Sequence, residues 1–382
     1  MTEPVTVAKG LEGIVAAATK LSDVQGQAGR LLYCGYDIAD LAAHSTFEET
    51  VYLLWYDALP TQAQLDTFQS KLAAARALPD GVIAQLQTYP HDATPMDILR
   101  TVVSLLGVYD HEKGEAVKTA ETQALRLTAQ MATIAAAWNS IRNGHAPLAP
   151  RADLNHAANF LYMLNGVEPD PRAARILDTA FVLHADHSLN ASTFVARAIA
   201  STLSDMYSAI VGALAALKGP LHGGANEATM RTLLKLGSVE AVEPYVVETL
   251  AHKGKIMGFG HRVYRADDPR AVILEKIARQ AAKVTGNYKW FEMQEKMRAA
   301  VQARKNLPVN VDFYSASVYY SLGIPVDLFT PVFAASRIAG WTAHVLEQYA
   351  DNRLIRPDAL YVGKKDLNYI PLAARVAAPH PT

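Results

Sequence analysis

The chain has 382 residues, half of them hydrophobic, and a formal net charge of −1 at pH 7. This length exceeds the size at which a single hydrophobic core stops growing, so we expect two domains. The near-neutral charge excludes a global field that would attract nucleic acid or an anionic membrane. The single cysteine, Cys34, excludes a disulfide framework and a cysteine-based zinc site, and it favours a reducing compartment.

The first twenty residues contain a short apolar run that charged residues interrupt. This run is too brief for a signal peptide or a membrane span, and no other segment reaches about 18 uninterrupted apolar residues. We therefore expect a soluble, cytoplasmic protein with no membrane partner and no nucleic-acid partner.

The apolar residues repeat with a helical period almost throughout the chain. Helix-capping residues precede four predicted helices, at Ser45–Glu49, Thr61, Thr94 and Asp170. Residues 121–143 are rich in helix-forming residues and predict one long helix. Strand-like alternation is limited to residues 29–33 and 359–362. The sequence therefore predicts an all-α fold.

Two segments place histidines at predicted helix junctions. The polar side chains of His184–Asn190 are typical of caps and turns, and a capped junction with ordinary histidines explains them equally well. In Gly219–Glu227, a proline and three glycines predict a tight turn before a new helix. His222 therefore precedes a helix N-terminus, where the positive partial charge disfavours imidazolium. A neutral imidazole could donate to a carbonyl or enolate oxygen, the alternative being a turn histidine with no catalytic role.

Two further segments carry charged groups beside glycine or in apolar surroundings. Residues 253–270 hold five basic side chains and one histidine, with glycines that let a ligand approach the backbone. Arginine matches carboxylate and phosphate geometry, so this segment indicates a polyanionic ligand rather than a solvated basic face. Asp312 lies between Val311 and Phe313, where burial would raise its pKa towards that of a general base, although a helix cap is the simpler interpretation. Arg337 lies in a predicted apolar helix and is either an anion ligand or paired with a carboxylate.

These segments, in this order, resemble the catalytic segments of the citrate synthase family. The resemblance is carried by GFGHRVYRADDPR at 258–270, GPLHGGAN at 219–226 and VDFY at 311–314. Family-like stretches also occur at 10–15, 35–38 and 343–348, so the resemblance covers nearly the whole chain. Cys34 is a departure, because many relatives carry arginine there.

The resemblance implies that His222, His261 and Asp312 are catalytic. Asp312 would remove a proton from the methyl group of acetyl-CoA, His222 would donate a hydrogen bond to the thioester oxygen, and His261 would polarise and then protonate the ketone oxygen of oxaloacetate. It also implies that oxaloacetate is bound by His187, His222, His261, Arg270, Arg337 and Arg356, the last from a partner subunit. Coenzyme A would be bound by Met257, Gly258, Gly260, Arg262, Arg265 and Lys305. Hydrolysis would release citrate, a metabolite of the tricarboxylic acid cycle, and acetyl-CoA would be a co-substrate, with no metal or other cofactor.

The resemblance further implies a homodimer whose subunits each have a large and a small helical domain. The small domain would comprise residues 224–326, and the large domain residues 1–223 and 327–382. The short N-terminal region does not accommodate the extra β domain of larger bacterial relatives, which favours a dimer over a hexamer.

Three alternatives remain open at this point. The first is 2-methylcitrate synthase, a close relative that accepts propionyl-CoA, because one extra methylene discriminates by only about 1–3 kcal/mol. The second is a metal-dependent hydrolase built on His184, Asp186, His187, His222 and Asp312. The third is a helical scaffold without catalytic activity.

Overall fold

The computed structural model describes residues 7–112, 114–260, 264 and 267–375 of the chain. Sixteen α-helices and three short strands are found among these residues, so the all-α prediction is confirmed. The helices are α1 (Ile38–His44), α2 (Phe47–Tyr56), α3 (Gln62–Ala74), α4 (Asp80–Leu86), α5 (Pro95–Tyr109), α6 (Ala116–Arg142), α7 (His156–Asn165), α8 (Pro171–His184), α9 (Ala191–Ala200), α10 (Met206–Leu217), α11 (Ala225–Leu236), α12 (Val242–Ala251), α13 (Pro269–Thr285), α14 (Lys289–Gln302), α15 (Val311–Ser321) and α16 (Phe329–Ala350). Single turns of 3-10 helix occupy Lys9–Leu11, Val326–Leu328 and Leu372–Ala374.

Capping side chains begin several helices where the sequence predicts them. An N-cap side chain accepts a backbone N–H in the first turn of α2, α3, α5 and α8, the caps being Thr46, Thr61, Thr94 and Asp170. Within the capping segment predicted at Ser45–Glu49, Thr46 is the N-cap residue. Glu48 instead accepts the backbone N–H of His156 at 2.7 Å. The long helix predicted at 121–143 is α6, which begins five residues earlier.

The strands form one small antiparallel sheet. They are β1 (Ser22–Gln25), β2 (Arg30–Tyr33) and β3 (Tyr36–Asp37), in the order β1-β2-β3. In this register Val24 lies opposite Leu31, and Tyr33 lies opposite Tyr36. Only β2 was predicted from the sequence, because β1 contains a single apolar residue, Val24, and β3 has only two residues.

The second predicted strand, at residues 359–362, is wrong. This segment has no regular structure, and Leu360, Tyr361 and Val362 are all exposed. A strand requires a neighbour for its backbone hydrogen bonds, and no described strand pairs with this segment. The apolar residues of this segment therefore do not indicate a strand.

Helix α16 runs through the core of the protein. Every residue from Phe329 to Val345 is buried, as expected of a helix that other helices surround. It packs against α2, α6, α8, α9 and α10. Gly340 lets it approach the segment after α8, because a Cβ atom there would lie 2.5 Å from the carbonyl oxygen of Ala185. Polar side chains on α16 are therefore held at fixed positions in the interior.

The chain divides into two compact units. One spans residues 19–354, and the other combines the two terminal stretches, 1–18 and 355–382. The division into a large domain and a small domain of residues 224–326 stays a prediction. Among the described residues, no helix is both long and apolar enough to cross a membrane.

Candidate active site

His222 lies in the tight turn between α10 and α11. Its backbone N–H donates to the carbonyl oxygen of Gly219 at 2.9 Å. The next residue must be glycine, since a Cβ atom on Gly223 would lie 2.4 Å from the carbonyl oxygen of Leu217. Burial, with a further contribution from the nearby Arg337 guanidinium, lowers the pKa of His222 to about 4. The imidazole is therefore neutral at physiological pH, and burial adds to the helix-end effect expected from the sequence.

Ser192, in the first turn of α9, contacts the ring of His222. Its backbone N–H donates to Nε2 of His222 at 3.3 Å, and its Oγ lies 2.8 Å from the same nitrogen. A backbone N–H can only donate, so this contact favours Nε2 as the acceptor and Nδ1 as the nitrogen that carries the ring proton. The indole N–H of Trp341 in turn donates to Ser192 Oγ at 3.1 Å. Sequence analysis missed both residues, since neither stands within a catalytic segment.

Asp312 occupies the first turn of α15, where Asn310 rather than Asp312 is the cap. The backbone N–H of Asp312 donates to Oδ1 of Asn310 at 3.1 Å, which leaves the Asp312 carboxylate available for another task. Burial raises the pKa of Asp312 to about 6, although the positive charges of Arg270 and Arg337 oppose this effect. A carboxylate with this pKa is ionised at neutral pH yet basic enough to accept a proton.

The glycine-rich segment before residue 261 is held against the start of α15. The backbone N–H of Gly260 donates to Pro308 O at 2.8 Å, and that of Asn310 donates to Gly258 O at 3.0 Å. Gly258 has φ +86°, and a Cβ atom there would lie 2.7 Å from the ring of Phe313. Glycine is therefore required at 258, and the two segments predicted to bind coenzyme A and to carry Asp312 are brought together.

The other residues predicted to bind coenzyme A are placed in part. Met257 is half-buried within the same segment, and Lys305 is exposed just after α14. His261, Arg262 and Arg265 lie outside the described residues, so their predicted roles stay predictions.

Two buried arginines face this region from α13 and α16. Arg270 forms a hydrogen-bonded ion pair with Asp268, at 2.6 Å between Nη2 and Oδ2. Arg337 donates from Nε to the carbonyl oxygen of His184 at 2.7 Å, and its guanidinium lies 4.6 Å from the ring centroid of Phe333. Within the described part of the chain, no carboxylate forms an ion pair with Arg337. Burial lowers the pKa of Arg337 to about 10, so it remains a cation at neutral pH.

The two arginines affect the pKa values of other predicted site residues. The charge of Arg337 acts on both His222 and Asp312, and the charge of Arg270 acts on Asp312. These four side chains come from the turn before α11 and from α13, α15 and α16. The four side chains are therefore linked by electrostatic interactions, and together they form the candidate site.

The two remaining predicted oxaloacetate ligands, His187 and Arg356, belong to different compact units. His187 is half-buried between α8 and α9, with its ring 5.7 Å from the ring of Tyr264 in an edge-to-face arrangement. Arg356 belongs to the terminal unit, where it is exposed and lies 3.5 Å from Asp358. Its predicted contribution to a partner subunit stays a prediction.

The residues proposed for a metal-dependent hydrolase have other partners. Nδ1 of His184 bonds to the carbonyl oxygen of Ala180 at 2.7 Å, and Oδ2 of Asp186 accepts the hydroxyl of Ser22. Among the described residues, no three histidine, cysteine, aspartate or glutamate side chains form a group that could hold a metal. The geometry therefore gives no support to this alternative.

Comparisons with known proteins identify the family of the chain. The family model for the citrate synthase C-terminal domain matches residues 10–358. Citrate synthase 2 of Bacillus subtilis is 48% identical over 97% of this chain and 100% of its own length. Citrate synthase of Haloferax volcanii is 49% identical over 96% of this chain and 98% of its own length. The 2-methylcitrate synthase 2 of Corynebacterium glutamicum is also similar, at 41% identity over 97% of this chain and 98% of its own length.

Solved structures give the same result. The crystal structure of citrate synthase from Thermotoga maritima superposes with a TM-score of 0.88 at 41% identity, covering 97% of this chain and 100% of that chain. Full-length similarity at this level of identity extends to the whole fold. The chain belongs to the citrate synthase family and is an enzyme of the citrate synthase type.

Proposed function

We propose that this enzyme condenses acetyl-CoA with oxaloacetate and then hydrolyses the citryl thioester to citrate and coenzyme A. One observation carries the proposal. A carboxylate with a pKa near 6, Asp312, and a neutral imidazole, His222, lie within the electrostatic reach of the same buried cation, Arg337. This is the set of groups that carbon–carbon bond formation next to a thioester requires.

The first step is removal of a proton from the acetyl methyl group. This carbon acid is very weak, so a base must act together with a donor to the developing oxyanion. Asp312 takes the proton, and Nδ1–H of His222 donates to the thioester oxygen. The backbone N–H of Ser192 supports this role, because it can only donate to Nε2 and so favours Nδ1 as the protonated nitrogen.

The second step joins the enolate carbon to the ketone carbon of oxaloacetate. The ketone oxygen becomes the hydroxyl of citrate and takes a proton, for which we propose His261. Arg270, Arg337 and His187 hold the carboxylates of oxaloacetate. Arg337 is suited to this because it is a buried cation that forms no direct ion pair with a carboxylate among the described residues. Water then attacks the thioester, and coenzyme A leaves as the free thiol.

A homodimer completes the proposed enzyme. Several large apolar side chains of the terminal unit are exposed, among them Val15 at 90%, Val362 at 88% and Tyr369 at 82%. Such a run of exposed apolar residues is typical of a protein–protein interface. We propose that this unit contacts a second copy of the chain and delivers Arg356 to its oxaloacetate site. Closure of the small domain, residues 224–326, would exclude water from the enolate.

Propionyl-CoA is the second candidate for the acyl substrate, because 2-methylcitrate synthases are among the relatives. A thiol-release assay with oxaloacetate and either acyl thioester distinguishes the two functions. We expect the specificity constant for acetyl-CoA to exceed that for propionyl-CoA. The reverse order would assign the enzyme as a 2-methylcitrate synthase, and the absence of thiol release with both would contradict the proposed function. The cytoplasmic location rests on the sequence alone.

A further inference from the structure

Three side chains with separate tasks lie along one face of α16. Thr330, Arg337 and Trp341 are separated by seven and four residues, which at 3.6 residues per turn places them one above another. Arg337 is the proposed oxaloacetate ligand. Thr330 and Trp341, on either side of Arg337 along the helix, each form a hydrogen bond to a residue that neighbours His222.

Thr330 reaches the backbone beside His222. Its Oγ1 donates to the carbonyl oxygen of Gly223 at 3.1 Å, and both residues are buried. Trp341 reaches the ring of His222 through Ser192, since the indole N–H donates to Ser192 Oγ at 3.1 Å and this Oγ lies 2.8 Å from Nε2. The helix thus contacts His222 indirectly from two directions.

The hydroxyl of Ser192 has one proton and two neighbours that could accept it. These are Oδ1 of Asn190 at 2.7 Å and Nε2 of His222 at 2.8 Å. The backbone N–H of Thr193 also donates to Oδ1 of Asn190, and the N–H of Ser192 is shared between this oxygen and Nε2, so several donors compete for the two lone pairs of Oδ1. Donation to Nε2 places the histidine proton on Nδ1, whereas donation to Asn190 would let Nε2 carry the proton and donate to Ser192.

Trp341 favours the first of these arrangements. Its indole N–H can only donate, so it occupies a lone pair of Ser192 Oγ. A hydroxyl that already accepts one hydrogen bond competes less well for a proton on Nε2 and is a stronger donor in the other direction. Without the indole N–H, Ser192 could accept from Nε2, and Nδ1 would lose the proton that the thioester oxygen needs.

We propose that Trp341 and Thr330 are positioning residues for His222, Trp341 by fixing its proton on Nδ1 through Ser192 and Thr330 by fixing its turn. This inference rests on the proposed role of His222 as the donor to the thioester oxygen. It assigns to one rigid helix both the binding of oxaloacetate and the orientation of the group that activates the acyl thioester.

The first test replaces Trp341 with β-(3-benzothienyl)alanine, which keeps the two fused rings but has sulfur in place of N–H. We expect kcat to fall about tenfold, the effect of losing one net hydrogen bond, while KM for oxaloacetate changes by less than twofold. The ¹⁵N resonances of labelled His222 should shift from the Nδ1–H towards the Nε2–H tautomer. Ser192→Ala, which removes the hydroxyl itself, should shift the ¹⁵N resonances of His222 in the same way.

A matched control exists on the same helix. The indole N–H of Trp55 donates to Oγ1 of Thr342 at 3.0 Å, which is the same kind of hydrogen bond. The same replacement at Trp55 should leave kcat within twofold of the wild type. An unchanged tautomer in the Trp341 variant, or an equal loss of kcat in the Trp55 variant, would overturn the proposal.

The second contact is tested with Thr330→Val, which is isosteric but cannot donate. We expect a fall in kcat of about tenfold, restored by Thr330→Ser, with oxaloacetate affinity unchanged by calorimetry. Thr342→Val is the control, because Thr342 is buried in α16 but bonds within the helix and to Trp55. Failure of serine to restore kcat would contradict the role of the hydroxyl. The tautomer is read without turnover, so failure of the proposed reaction in the wild type would be seen separately.

Discussion

Asp312→Asn tests whether burial of the Asp312 carboxylate raises its pKa enough to make it a base. Burial has this effect because the ionised group is poorly solvated in the protein interior. The pKa of Asp312 rises from the ordinary 3.8 to about 6, chiefly through burial. A rise of about two pH units, at ~1.4 kcal/mol for each, means that the ionised group costs the folded enzyme about 3 kcal/mol at pH 8. Asparagine has nearly the same shape and cannot ionise. The variant should therefore have a free energy of unfolding up to about 3 kcal/mol above that of the wild type.

The sign and pH range of this effect follow from linkage. Well below pH 3.8 the carboxyl is protonated in both states and contributes nothing. As pH rises from 3.8 to 6, the unfolded chain ionises first, so the stability of the wild type falls and then levels off. The advantage of Asp312→Asn should shrink to less than about 1 kcal/mol at pH 4. Urea unfolding at a fixed protein concentration measures it, and thiol release should fall at least ~10²-fold.

Asp186→Asn is the matched control with the opposite sign. Burial alone would raise the pKa of Asp186, but His344, Arg337 and the hydroxyl of Ser22 outweigh it and hold the pKa at about 2. Asp186→Asn should therefore lower the free energy of unfolding at pH 8. If Asp312→Asn is no more stable than the wild type at pH 8, the assigned burial cost is wrong. If it retains turnover, Asp312 is not the base.

Three further predictions concern the rest of the site. Arg337→Lys should weaken oxaloacetate binding at least tenfold by calorimetry, because lysine cannot both donate to His184 O and stack on Phe333. An unchanged affinity would show that Arg337 does not bind oxaloacetate. Gly258→Ala should lower stability by about 1–3 kcal/mol and also lower kcat, since φ is +86° and Phe313 leaves no space for a Cβ atom. Urea unfolding and thiol release measure the two effects. A fully stable variant would contradict the close approach of Gly258 to Phe313. A chelator should leave thiol release unchanged, whereas a metal-dependent hydrolase would lose activity on the same treatment.

The helices of this protein were largely predictable because their signals are local. A capping residue such as Thr94, followed by Pro95 and an apolar repeat, requires only the physics of one helix end. The strand predicted at 359–362 failed for the complementary reason. A β-pattern needs a partner strand as well as suitable residues, and the sequence of one segment cannot show whether a partner exists. The exposure of those apolar residues fits an interface better than a sheet.

The sequence indicates a candidate site where glycine, histidine and charge come together in one segment, as they do around His222. Asp312 stands in an apolar segment without glycine or histidine, and it would be interpreted as a cap until Asn310 is seen in that position. Ser192 and Trp341 could not be found in this way. They are 149 residues apart, and their shared hydrogen bond exists only because α9 packs against α16. Ordinary serine and tryptophan side chains acquire this role from tertiary structure.

The burial of α16 explains why so much of the site depends on one helix. Desolvation, which makes the Arg337 cation costly to bury, also makes its attraction for a dicarboxylate stronger than it would be in water. The same buried position lets Trp341 act on Ser192 without competition from solvent. A helix exposed on one face could offer an arginine to the ligand, but water would compete with that arginine and with the indole N–H alike. In the proposed mechanism, placing both groups on the buried part of α16 links recognition of oxaloacetate to the orientation of His222 through a single rigid element.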